Sequence, residues 1–194
     1  MRRVLAFYKF TPVADPADHA EDLQRMGEQL GVVGTILLAE EGVNGTIVAE
    51  MASLDAMVRT LETVFGAMTF KWSDLDQSGV GFHRFKVRIK PEIVSFGVAG
   101  LDLQQTGEHV DGARWNELLD DPDVLVIDTR NQYEIDIGTF DNAVSPDTGN
   151  FREFPQWVQD NIDPAKQRKV AMFCTGGIRC EKASALVAQH GVAE

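Results

Sequence analysis

The chain has 194 residues, which suits one large domain or two small ones. Its 44% hydrophobic and 25% charged content is ordinary for a globular protein, and no apolar run approaches the ~20 residues a membrane helix needs. A net charge of -12 excludes bulk, nonspecific nucleic-acid binding, but a local basic patch stays open.

The N-terminus is basic and then apolar, and Lys9 interrupts the apolar run too early for a signal peptide. A first strand over Val4 to Phe10 and a cytoplasmic location are expected. Asp15-Pro16 supplies an N-cap with proline at the first helical position. Ala20, Leu23, Met26 and Leu30 follow at helical spacing, and Gly31 ends the helix. Val32 to Ala39 reads as a strand. Glu40-Glu41-Gly42-Val43-Asn44-Gly45 reads as a turn with Asn-Gly as its hairpin signal, and Thr46 to Ala49 as the return strand. The same carboxylate-flanked glycine run could instead face a substrate; the turn is the favoured reading.

Leu54, Met57, Val58, Leu61, Val64 and Phe65 form the apolar face of a second helix, stopped by Gly66. Thr69 to Trp72 and a long strand near Phe82 to Val94 complete a β-α-β-β-α-β order. That is a ferredoxin-like α+β domain, expected over residues 1–95: an antiparallel sheet with two helices on one face. In its last strand Arg84, Lys86, Arg88 and Lys90 alternate with Phe85, Val87 and Ile89, so the four cations share one face. Two readings stand: a phosphate-binding stripe, or a solvated face that discourages edge pairing.

Residues 96–110 lack periodicity, carry Gly97, Gly100 and Gly107, and read as a linker that partly packs on the domains. A second unit is expected over residues 111–194. Trp115 to Leu119 reads as a short helix, and Val124 to Ile127 as a buried parallel strand ending in Asp128-Thr129-Arg130. Phe151 to Ile162 is helix-like, with Pro155 in its first turn. Lys169 to Phe173 is a second buried strand that runs into Cys174, and a helix follows from about Arg179 to Gln189. This is a parallel α/β pattern, in which ligands sit at the carboxyl ends of strands.

The only two cysteines, Cys174 and Cys180, lie in the run Cys-Thr-Gly-Gly-Ile-Arg-Cys-Glu-Lys. Two thiols so close make no disulfide framework and point to chemistry. None of His19, His83, His109 and His190 stands at metal-ligand spacing from another ligand, so no metal is expected. Between a strand end and a helix start, Thr175-Gly176-Gly177-Ile178 can turn backbone N–H groups inward, and Arg179 adds a full charge. Such surroundings lower a cysteine pKa from about 8.5 to ~7.5 or below. Cys174 is therefore the candidate nucleophile. Cys180 is either filler in the first helical turn, the favoured reading, or a second, resolving thiol.

Four residues separate Cys174 from Arg179. Cysteine-dependent phosphatases have one more, and the shorter loop resembles that of rhodaneses, whose cradle holds a persulfide sulfur. Ile127-Asp128-Thr129-Arg130, Glu134 and Gly138-Thr139-Phe140-Asp141-Asn142-Ala143 also resemble rhodanese motifs, with Thr139 in place of a histidine. The resemblance implies that Asp128, Arg130 and Glu134 form bracing ion pairs. Phe173 to Ser184, together with Ala39-Glu40-Glu41-Gly42-Val43-Asn44-Gly45-Thr46, resembles the rhodanese-domain tRNA uridine hydroxylase family over essentially the whole chain. That resemblance implies an acylphosphatase-like ferredoxin fold ahead of a rhodanese-like domain. It also implies oxygen-dependent formation of 5-hydroxyuridine at the tRNA wobble position, molecular oxygen as co-substrate with no bound cofactor, and tRNA, at its anticodon, as partner. Cys174 takes the place of the family's active cysteine. A sulfurtransferase acting through a Cys174 persulfide, and a non-enzymatic binding module, are the competing readings. Members of the family continue past Ala193-Glu194 with a further strand and helix. A truncated C-terminus is therefore expected, with an unpaired sheet edge open to self-association and activity in question.

Overall fold

A computed structural model describes residues 2–75 and 81–193. The described residues form two compact units, residues 2–93 and 94–193. The first runs β1 (Arg2–Phe10), α1 (Pro16–Gln29), β2 (Val33–Ala39), β3 (Gly42–Glu50), α2 (Met51–Phe65), β4 (Phe70–Asp74) and β5 (Phe85–Ile89). Its five-stranded sheet has the order β4-β1-β3-β2-β5. All pairs are antiparallel except β2–β5, so the sheet is mixed where an antiparallel one was expected. Alternation puts Leu5, Phe7, Ile36, Leu38, Val43 and Ile47 on one face, where they meet Leu23 of α1 and Leu54, Met57 and Leu61 of α2. Asp15 caps α1 by accepting from the Ala17 N–H at 3.1 Å. Lys9 Nζ closes the far end of α2 on the Phe65 and Ala67 carbonyls, at 2.6 and 2.9 Å.

The hairpin between β2 and β3 turns at Glu40-Glu41, not at Asn44-Gly45, and β3 starts four residues earlier than the sequence suggests. The reason is close approach. A Cβ on Gly42, at φ +146°, would lie 2.0 Å from the Lys9 carbonyl oxygen, and one on Gly45 would lie 2.6 Å from the Phe7 ring. Asn44 and Glu41 then both engage Ile93: Asn44 Nδ2 donates to the Ile93 carbonyl at 2.9 Å, and the Ile93 N–H donates to Glu41 Oε1 at 2.7 Å. The Glu-Glu-Gly-Val-Asn-Gly run thus fastens the last residue of the first unit.

The long strand expected over Phe82 to Val94 is five residues, Phe85–Ile89. The ladder ends where the Lys90 N–H reaches the Leu38 carbonyl, 2.8 Å, one residue before β2 itself ends at Ala39.

The second unit runs α3 (Gly112–Asp120), β6 (Val124–Asp128), α4 (Gln132–Ile135), a 3-10 turn (Phe151–Glu153), α5 (Phe154–Asn161), β7 (Lys169–Phe173) and α6 (Ile178–Gln189). Strands β6 and β7 are parallel, in register from Val124↔Lys169 to Asp128↔Phe173. Val144 adds an isolated parallel bridge to Ile127. Phe154 and Val158 of α5 and Ala183 and Val187 of α6 bury Ile127 between them. The segment 96–110 is more than a linker: Phe96, 1% exposed, lies in this core with Leu101 packed against it. No helix among the described residues is long and apolar enough to cross a membrane.

Candidate active site

Cys174 leaves β7 directly after Phe173, and Gly177, at φ 90°, is the N-cap of α6. Only glycine takes that dihedral at little cost, and it lets the chain fold back over its own cysteine. The Gly177 N–H donates to Cys174 Sγ at 3.0 Å. The N–H groups of Arg179 and Cys180, in the first turn of α6, also reach the sulfur. A helix start has such N–H groups to spare, so the loop is an anion nest whose anion is the cysteine itself.

The Cys174 pKa falls to about 5. The largest cause is a hydrogen bond from the Cys180 side chain; the Cys180 and Arg179 N–H groups and the Arg179 charge add to it, against the opposing effect of burial. Cys180 moves the opposite way, its thiol pushed far up by its side-chain interaction with Cys174, by burial and by the charge there. Its Sγ lies 3.6 Å from Thr129 Oγ1, and that hydroxyl is anchored on the Phe173 carbonyl at 2.9 Å.

The structure places Arg179 differently from a free loop cation. Its guanidinium grips Glu134 with two bonds, Nη1 to Oε2 at 2.8 Å and Nη2 to Oε1 at 3.0 Å. Thr175 Oγ1 donates to the same carboxylate and accepts from Arg179 Nη2 at 3.3 Å. Glu134 also closes a capping box with Asn131 at the start of α4, through an Asn131 N–H bond of 3.0 Å. Arg179 foremost, then Thr175 and Asn131, hold the Glu134 pKa at about 2 despite burial. Gly176 and Ile178 complete the loop between these anchors.

Asp128 and Arg130 form a separate brace. Arg130 Nε and Nη2 reach Asp128 at 2.9 and 2.6 Å, and Nη2 continues to the Gly138 carbonyl at 2.6 Å. Thr139 Oγ1 donates to Asp128 Oδ2 at 2.8 Å, so threonine serves this carboxylate where the rhodanese motif has histidine. Burial raises the Asp128 pKa, and the Arg130 and Thr139 bonds outweigh it and bring it below the ordinary value. The three residues expected to brace the domain together thus divide. Asp128 and Arg130 pair with each other, and Glu134 pairs with the loop. Sequence reading missed Thr129 and the Thr175–Glu134 link, because both depend on groups more than forty positions apart meeting in the fold.

In the first unit Arg84, Lys86, Arg88 and Lys90 are exposed, Phe85 is buried and Val87 half-buried. Lys86 and Arg88 lie on β5, flanked by Arg84 before it and Lys90 after it. Ile89 breaks the alternation by being exposed. Part of the edge is covered: Gln24 of α1 accepts from the Val87 N–H at 2.8 Å and donates to the Phe85 carbonyl at 3.3 Å. Among the described residues no group of three or more His, Cys, Asp or Glu side chains is placed to hold a metal ion.

Two family models match the chain. Residues 2–93 match the UPF0176 acylphosphatase like domain and residues 113–194 the Rhodanese-like domain. A tRNA uridine(34) hydroxylase of Synechocystis sp. is 49% identical over 99% of this chain and 69% of its own length. One of Jannaschia sp. is 46% identical over 98% of this chain and 64% of its own length. The chain thus spans about two thirds of these relatives. A solved acylphosphatase from Coxiella burnetii aligns with 45% of the chain and 90% of its own at 14% identity, with a TM-score of 0.33, a likeness too weak to bear on function.

Proposed function

Since the chain belongs to the tRNA uridine(34) hydroxylase family, we propose that it carries the oxygen-dependent hydroxylation of the tRNA wobble uridine to 5-hydroxyuridine, with the Cys174 thiolate as the catalytic group. The observation that carries this reading is the nest around Cys174: a sulfur stabilised as an anion at the carboxyl end of β7, in a chain of this family.

The chemistry needs such a sulfur because C5 of uracil is a poor nucleophile toward oxygen. Addition of the thiolate to C6 forms an S–C6 bond and moves the ring electrons to C5, as an enolate. C5 then attacks molecular oxygen. Reduction of the resulting C5 hydroperoxide by an external two-electron donor leaves a hydroxyl at C5 and releases water. Loss of the C5 proton and departure of the thiolate restore the ring. The uridine must leave its stack to meet the sulfur, and the cations at Arg84, Lys86, Arg88 and Lys90 supply phosphate contacts for the anticodon arm. The reaction takes place where tRNA is, in the cytoplasm.

The test is nucleoside mass spectrometry of tRNA from cells lacking the gene. Hydroxyuridine-derived nucleosides should vanish, return with oxygen-18 from labelled O2 on complementation, and stay absent with Cys174→Ala. Persistent hydroxylation by Cys174→Ala would refute the assigned role. Replacing all four cations by glutamine should weaken tRNA binding and lower the slope of log K against log salt by about 3 to 4; an unchanged slope removes β5 from the interface.

A second reading rests on the Rhodanese-like match over residues 113–194 and a loop with rhodanese spacing. Here Cys174 carries a persulfide and passes sulfur on, and thiosulfate-to-cyanide turnover without hydroxylation would select it.

A further inference from the structure

Most of the large apolar side chains exposed among the described residues, Tyr133, Ile137, Phe140 and Val144, lie between positions 133 and 144. That segment follows β6 at its carboxyl end, where Asp128 pairs with Phe173, the residue before Cys174. It is firmly held. Arg179 grips Glu134, Thr139 donates to Asp128, Arg130 donates to the Gly138 carbonyl, and Val144 bridges Ile127. Its apolar side chains are therefore presented by a fixed backbone. Two of the four are used inside the unit: Phe140 packs against Trp115 and Phe173, and Val144 extends the sheet. Tyr133, 68% exposed, and Ile137, 89% exposed, give most of their surface to water. The Tyr133 ring is nonetheless held at its far end, where Asn131 Nδ2 donates to the hydroxyl oxygen at 3.3 Å. A ring already fixed at both ends loses little further freedom when something lies on it.

We propose that Tyr133 is a base-binding residue: its exposed ring stacks on a base adjacent to the wobble uridine while that uridine is at Cys174. The inference rests on the tRNA reading above and adds where the neighbouring nucleotide lies. Tyr133 precedes Glu134, whose carboxylate accepts from Thr175, the residue after Cys174. The ring thus stands beside the sulfur with the Glu134 side chain between them, the place of a flanking nucleotide and not of the target. An unstacked base has an apolar face to cover, and exposed aromatic rings are what single-stranded RNA is held on. Ile137, four residues on, widens the apolar surface. Charge favours a base over a phosphate here, because Asp136 and Asp141, both exposed, repel phosphate. Size favours a base over a protein: two side chains match one ring, whereas a stable protein interface needs about 800 Å² per partner.

Fluorescence anisotropy with the full chain and an anticodon stem-loop RNA carrying an unmodified wobble uridine tests this. Tyr133→Ala and Tyr133→Leu should each raise Kd about 5- to 100-fold, the loss that goes with one stacked base. Tyr133→Phe keeps the ring and should stay within about twofold of the wild type. The slope of log K against log salt should not change, since no phosphate contact is lost. An abasic nucleotide then replaces the base on either side of the wobble uridine in turn. At one of the two positions wild-type binding should weaken by a similar factor, and Tyr133→Ala should cost less than about twofold more in that RNA. An unchanged Kd in Tyr133→Ala overturns the proposal. So does a loss that is equally large on the intact RNA and on both abasic RNAs, which would make the effect of Tyr133 structural. A wild type that binds no stem-loop RNA overturns the tRNA reading itself, and this inference falls with it.

Discussion

Replacing Glu134 by glutamine keeps the shape of the side chain and removes the charge that holds Arg179 and Thr175. The carboxyl sits at about 2 against an ordinary 4.5, which corresponds to about 3 kcal/mol of preference for the ionised form in the folded chain. Both side chains are largely shielded, 12% and 16% exposed for Arg179 and Glu134, so solvent screens little of this. Glutamine can still accept one of the bonds, and the loss expected for Glu134→Gln at neutral pH is about 2–3 kcal/mol. The pH dependence carries a sign. A carboxyl whose folded pKa is depressed contributes fully above its unfolded value and loses that contribution as pH falls through the folded one. The gap between wild type and Glu134→Gln should therefore be full above about pH 5 and fall to about half or less by pH 3. Urea unfolding in a Trp72→Phe background reads it, since Trp115 and Trp157 then report the second unit alone. A gap under about 1 kcal/mol at pH 7, or one that is the same at pH 3, refutes the clamp as described.

Two further substitutions separate brace from loop and test the first unit. Asp128→Asn leaves Arg130 without its buried counter-charge and should cost about 3–5 kcal/mol of second-unit stability, read by the same urea titration; a loss under 1 would show the brace to be dispensable. Gly42→Ala would set a Cβ 2.0 Å from the Lys9 carbonyl at a φ of +146°. It should destabilise the first unit by about 2–4 kcal/mol, followed through Trp72 in a Trp115→Phe, Trp157→Phe background, and a loss under about 0.5 would refute the close approach.

Local patterns in the sequence carried much of this protein. Helical spacing from Ala20 to Leu30 and from Leu54 to Phe65 gave two helices that pack on the sheet, because 3.6-residue periodicity and burial are one constraint read twice. The continuous apolar runs Val124–Ile127 and Lys169–Phe173 gave a parallel pair, and two glycines between a strand and a helix gave the cradle around Cys174. Turn chemistry was less legible. Asn44-Gly45 has the composition of a hairpin tip, yet the turn falls at Glu40-Glu41, because Phe7 and Lys9 crowd Gly45 and Gly42 from a strand far away in the chain.

The division is sharpest at the site itself. The run from Cys174 to Arg179 lies within six residues, so covalent proximity alone dictates that backbone N–H groups and a cation surround one sulfur. What that cation binds, and what the Cys180 side chain lies against, depends on Glu134 and Thr129, brought to the loop from 45 and 51 positions away. Such meetings follow from how β6, α4 and β7 pack, and no periodicity in the chain encodes them. The sequence determined that Cys174 would sit in an anion nest; the tertiary structure decided that Arg179 is held by Glu134 and that Cys180 lies against Thr129.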